Sequence, residues 1–182
     1  MEQNSYSFEI VKELLSGENH IRGIAKNLNM NPMRVLRTIR DLEHKNIIDY
    51  RINGKNKSYS FKKTIEARDF IFMTELYKLS KILGKYPLLR AIIGKIHEDK
   101  RIKLAVLFGS YAKNLAKPES DIDIFIETKD KDIKKELSLL NSSLSLKIGK
   151  INISNLLVKE IIKDHIIIKG VERYYEQIEF FK

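Results

Sequence analysis

The chain has 182 residues, with 34 Lys and Arg against 24 Asp and Glu, and neither Cys nor Trp. Without cysteine it has no disulfide framework, no thiolate-held zinc or iron–sulfur cluster and no thiol nucleophile, which points to a cytoplasmic setting. No apolar run approaches the roughly 20 residues a bilayer demands, and the first residues lack a basic signal-peptide start, so no membrane partner is expected; the net charge of +10 points to a polyanion instead.

The charge is concentrated. Between His20 and Lys63 stand 11 basic and three acidic residues, a local balance of +8. Beneath it lies a helical pattern. Phe8, Ile10, Val11, Leu14 and Leu15 fit one helix closed by Gly17, and Ile21, Ile24, Ala25 and Leu28 fit a second. Asn29 suits a left-handed turn. Asn31 followed by Pro32 reads as an N-cap with proline in the first helical position, opening a third helix that buries Val35, Leu36, Ile39 and Leu42. Asn46 closes that helix, and residues 47–52 and 58–61 flank Asn53-Gly54 as a hairpin.

Helix, helix, turn, helix and hairpin over residues 5–63 resembles the winged helix-turn-helix DNA-binding family. The resemblance implies DNA as a partner, with the third helix in the major groove and the hairpin on the adjacent backbone. Arg34, Arg37 and Thr38 then face bases or phosphates, and Arg51, Lys55 and Lys57 face phosphates. Residues 64–84 follow without proline as a long amphipathic linker helix, stopped by Gly84 and Pro87. Its spacing of Phe72, Leu76, Leu79 and Leu83 permits a seam for a homodimer or for packing within the chain. The domains expected are residues 1–63, the linker 64–84 and residues 85–182.

In the C-terminal part an apolar, strand-like run over residues 102–108 ends at Gly109-Ser110. Ten residues later comes Asp121-Ile122-Asp123-Ile124-Phe125-Ile126. Side chains two apart share a strand face, so Asp121 and Asp123 point together while the isoleucines enter the core. Paired carboxylates cost stability unless a cation neutralises them, and hard oxygen ligands suit Mg2+ or Mn2+, which in turn hold nucleotide phosphates. Glycine at the strand end lets backbone approach a phosphate.

The run Leu107-Phe108-Gly109-Ser110-Tyr111-Ala112, continuing to Ser120-Asp121-Ile122-Asp123-Ile124, is similar to the signature of the DNA polymerase beta nucleotidyltransferase superfamily, in its minimal branch. Over residues 88–175 this implies an α/β domain with a small mixed sheet, which makes the whole chain α+β. It also implies a nucleoside triphosphate donor, with ATP the expected one, and two metal ions. Gly109, Ser110 and Lys113 then meet the triphosphate, and Asp121 and Asp123 are the catalytic metal ligands. The superfamily has a third carboxylate on a later strand. After a helix expected over residues 132–146, the polar residue flanked by isoleucines in residues 150–154 is Asn152, which brings an amide oxygen but no charge and no base.

Two functions follow. The first is a DNA-bound transferase that moves a nucleoside monophosphate onto a protein or small-molecule hydroxyl. The resemblance extends this to an antitoxin-like role beside a HEPN-type toxin or another acceptor protein. The second, which Asn152 favours, is a catalytically impaired, nucleotide-sensing transcription regulator.

Overall fold

A computed structural model of the chain describes residues 2–54, 56–130 and 132–182, with side chains from Ser5 onward. It is α+β, and it divides into two compact units, residues 1–74 and 75–182. Among the described residues no helix is long and apolar enough to cross a membrane.

The first unit opens with three helices, α1 (Glu2–Leu15), α2 (Ile21–Asn27) and α3 (Pro32–His44). The antiparallel hairpin β1 (Ile48–Asn53) and β2 (Asn56–Phe61) follows. The turn chemistry behaves as the sequence predicts. Asn31 Oδ1 accepts from the backbone N–H of Met33 at 2.8 Å, and Asn29 and Asn46 both take left-handed backbone, with φ of 50° and 61°. Ile10, Val11, Ile24, Val35, Ile39 and Leu42 are buried between the helices, while Leu36 is only half-buried. Lys55 lies outside the described residues.

α4 (Ile65–Lys85) is the expected long helix, but the division between units falls inside it, between Thr74 and Glu75, and not near residues 84–87. The reason is packing. Leu79 and Ile82 belong to the core of the second unit, whereas Ala67 and Ile71 are buried in the first. The seam the spacing allows does not form one face, since Leu79 is buried and Leu76 is 55% exposed.

The second unit continues with α5 (Leu89–Glu98), β3 (Leu104–Phe108), the single turn α6 (Gly109–Ala112), β4 (Ile122–Glu127), α7 (Asp132–Ser138) and β5 (Leu144–Ile148). It closes with α8 (Leu156–Lys163), β6 (Ile166–Lys169) and α9 (Val171–Gln177). The strands form one sheet in the order β5-β4-β3-β6, antiparallel except for the β4–β5 pair. One face carries Ala105, Leu107, Ile122, Ile124 and Ile126 into the main core against α5 and α7. The helix expected over residues 132–146 is shorter, because turn-forming Asn141 accepts from the Ser143 N–H at 2.8 Å and frees Leu144, Leu146 and Ile148 to alternate as a strand.

A polar network is buried where α4 and α9 meet within the second unit. Tyr175 donates its hydroxyl hydrogen to Glu75 Oε1 at 2.8 Å, and Lys78 Nζ lies 2.8 Å from Glu75 Oε2. His165 Nε2 sits 3.8 Å from Glu75 Oε1, with Tyr174 packed on the imidazole at 4.6 Å between centroids. Burial, reinforced by the Lys78 charge and only partly offset by Glu75, lowers the His165 pKa to about 4. Burial likewise pushes both tyrosines upward.

A group whose pKa is depressed on folding leaves the unfolded chain holding a proton that the folded one lacks. Stability is therefore expected to fall as pH drops from about 6.5 to about 4, by roughly 3 kcal/mol in all. Glu127, Asp99 and Glu136 are held below the ordinary carboxylate range, chiefly by hydrogen bonds from Arg173 and Arg101, so their contributions are lost only at lower pH. Urea unfolding across pH 7 to 5 measures the histidine effect. His165→Gln should flatten the slope, and an unchanged slope would assign it elsewhere.

Candidate active site

The site is built by the register of β3 and β4. Phe108 pairs with Asp123, so the next residue, Gly109, turns directly over the Asp123 carboxylate. Gly109 has φ of 70°, and a Cβ there would lie 2.5 Å from Asp123 Oδ2. Both its conformation and its neighbour require glycine. Ser110 follows on α6 and is half-exposed. The loop back to β4 is closed by Ser120, whose Oγ accepts from the Lys117 N–H at 2.8 Å, and the Ile122 N–H donates to Ser143 O at 2.8 Å. These bonds set Asp121 at the mouth of β4.

Asp121 is exposed and Asp123 half-buried, about 7 Å apart along the chain, with Ile122 and Ile124 buried behind them. Neither carboxylate has a hydrogen-bond or ion-pair partner among the described residues. Two like charges side by side, one half-buried, are unfavourable alone and suit a hard divalent cation. The donor set present is these two carboxylates with the Ser110 hydroxyl close in sequence to Gly109, and it fits such an ion. Among the described residues no group of three or more His, Asp or Glu converges to hold one.

The third position differs from the expectation. Asn152 is not on a strand beside β4. It lies in the loop after β5, where its Oδ1 accepts from the Ser154 N–H at 3.0 Å and the Ser154 hydroxyl at 2.7 Å. The strand beside β4 is β5, and in its parallel register Ser145 stands opposite Asp123. Ser145 is thus the β5 residue beside Asp123, and Lys147, opposite Phe125, is the next residue on that face. The signal was present in the alternation of Leu144, Ser145, Leu146, Lys147 and Ile148, but the apparent helix over residues 132–146 concealed it. Glu127 lies at the far end of β4, bound by Arg173 through two contacts of 2.7 Å. Lys113 Nζ is paired with Glu160 on α8 at 3.2 Å.

In the first unit the Arg34 guanidinium donates to the Tyr6 hydroxyl and lies 4.4 Å from the centre of its ring. Thr38 Oγ1 donates to the Arg34 carbonyl at 3.1 Å, while Arg37 is exposed. Lys57 Nζ lies 3.5 Å from the centre of the Tyr50 ring, and Arg51 is exposed. Of the basic residues predicted to meet DNA, Arg37 and Arg51 are thus the more open, while Arg34 and Lys57 rest on aromatic rings.

Residues 90–177 match the family model described as polymerase beta, nucleotidyltransferase. The match spans 88 of the 182 residues and lies within the second unit. It supports nucleotidyl transfer in general, with a nucleoside triphosphate and a divalent metal as the usual requirements of such a domain. No curated protein and no solved structure matches the chain.

The contact of Gly109 with Asp123 makes a direct prediction. Gly109→Ala should cost about 1–3 kcal/mol of unfolding free energy from the positive φ and the close carboxylate. In Asp123→Ala the contact part vanishes, so the double variant should lose measurably less than the sum of the singles in urea titrations. Strict additivity would mean that the two residues do not meet.

Proposed function

We propose that the second unit transfers a nucleoside monophosphate from a nucleoside triphosphate, with ATP the expected donor, to a hydroxyl on a protein or small molecule. We further propose that the first unit binds DNA. The observation that carries the first part is the unpaired Asp121–Asp123 pair beneath Gly109. Asp121 and Asp123 would hold the Mg2+ or Mn2+, and the bound cation would supply charge neutralisation at the transferred phosphoryl group and at the leaving pyrophosphate. Gly109 keeps the space over Asp123 free of a side chain, so a phosphate can approach the carboxylate edge. Ser110 offers a hydroxyl donor from the adjacent turn. Ile122, Ile124 and Phe125, all buried, hold β4 rigid so that the carboxylates keep their spacing.

The acceptor hydroxyl must lose a proton, which would pass to solvent water, since Asp121 and Asp123 are taken by the cation and Ser145 opposite Asp123 brings no negative charge. A protein acceptor such as a HEPN-type toxin accords with this chemistry. The same Ser145 favours a second reading, a regulator that binds a nucleotide without turning it over and whose DNA affinity responds to it. For DNA binding, the support is the +8 balance of residues 20–63 with Arg37 and Arg51 exposed, on an element order suited to a recognition helix and a hairpin.

Incubation with α-labelled nucleoside triphosphates, Mg2+ and candidate acceptor proteins tests transfer. Label should appear on an acceptor and drop at least about a hundredfold with Asp121→Ala plus Asp123→Ala; transfer untouched by the double substitution would refute the assigned site. Arg37→Ala with Arg51→Ala should weaken DNA affinity and shallow its dependence on salt by roughly two phosphate contacts. An unchanged salt slope would remove the first unit from the DNA interface.

A further inference from the structure

A second cleft opens in the same unit at the opposite end of β4 from Asp123, about 13 Å along the strand. Its volume is about 520 Å3, within the range that holds small organic ligands. Lys103 before β3, Lys129 after β4 and Lys150 after β5 converge on it, three cations delivered by three neighbouring strands. All three are exposed, and none has an ion-pair partner among the described residues.

Both acidic groups lining the cleft already have arginine partners. Glu127 is bound by Arg173 at 2.7 Å through both oxygens and by Gln177 at 3.0 Å, and Arg173 holds its carboxyl below the ordinary range. Asp130 accepts from Arg101 at 3.0 Å, and Arg101 also grips Asp99 and Glu136. Glu127 is thus held by a bidentate arginine, while Asp130 has a single contact to an arginine that it shares with two other carboxylates. The lining holds five cationic side chains against two carboxylates, and with Arg101 shared by Asp99 and Glu136 as well, a smaller positive excess remains around a space of nucleotide size. An anion bearing two or more charges draws on all three lysines at once.

We propose that this cleft binds a phosphate monoester of nucleotide size, with Lys103, Lys129 and Lys150 gripping the phosphate. Lysines act on phosphate as point charges and need no planar geometry, which suits side chains arriving from three directions. The aliphatic stems of the same lysines, with Gly149 between β5 and Lys150, leave an apolar floor for the organic part of the ligand. The site is separate from Asp121 and Asp123 and needs no metal, so it stands whether or not the chain turns over a nucleoside triphosphate.

The test is equilibrium titration of the full chain with adenosine 5′-monophosphate, and separately with inorganic phosphate, in EDTA, where the unpaired aspartates repel anions. Saturable one-to-one binding of adenosine 5′-monophosphate is expected, with competition by inorganic phosphate, and with affinity falling about tenfold or more in the Lys103→Ala, Lys129→Ala, Lys150→Ala triple variant. Each single variant should fall by about threefold, which keeps the test available if the triple variant folds poorly. Asp121→Ala plus Asp123→Ala should leave the affinity unchanged or slightly higher. Absence of saturable binding, or binding that survives the lysine substitutions, would overturn the proposal, as would binding abolished by the aspartate substitutions.

Discussion

The second unit depends on one close approach, the Gly109 backbone over the Asp123 carboxylate. The pairing of Phe108 with Asp123 fixes where β3 must turn, and the positive φ of Gly109 turns it. Any side chain at that point would occupy the space beside Oδ2, and the strand would have to slip or the carboxylate move. A slip of one residue would reverse β4, taking its isoleucines off the main core and turning Asp123 into it. The apolar packing of Ile122, Ile124 and Ile126 and the exposure of the acidic pair are therefore two sides of a single register.

The two ends of β4 are opposite in charge, and the difference comes from partners. At the N-terminal end Asp121 and Asp123 have no cationic side-chain partner among the described residues, so the negative charge is available to an external cation. At the C-terminal end Glu127 is neutralised by Arg173, and the neighbouring lysines leave that end positive. On the proposals above, the acidic end would meet a metal-bearing ligand and the basic end a bare anion.

The local features were legible in the sequence wherever backbone chemistry dictates them. Asn29, Asn46 and Gly54 mark their turns because few residues tolerate left-handed backbone, and Asn31 caps α3 through its side-chain oxygen. The Gly-Ser and Asp-x-Asp runs were legible because a two-residue period distinguishes strand faces. Pairing was not. Nothing local announces that β5 lies parallel to β4, so the sequence points to Asn152 whereas the residue that β5 sets beside Asp123 is Ser145. Glu75 was hidden for the same reason. A lone glutamate on an amphipathic helix reads as solvated, and only the arrival of Tyr175, a hundred residues later, makes it a buried acceptor. The boundary inside α4 likewise depends on which distant residues pack on each half.

Asp121 and Asp123, unpaired among the described residues, are proposed to hold a cation that carries a nucleotide. The most direct measurement is a crystal structure with Mn2+ and a non-hydrolysable nucleoside triphosphate analogue, located by the anomalous scattering of manganese. The account predicts a manganese peak within about 2.0–2.3 Å of oxygens from both carboxylates, with the triphosphate against Gly109 and Ser110. A structure in which manganese and analogue bind elsewhere, or in which Asp121 and Asp123 stay free of metal at saturating concentrations of both, would contradict it.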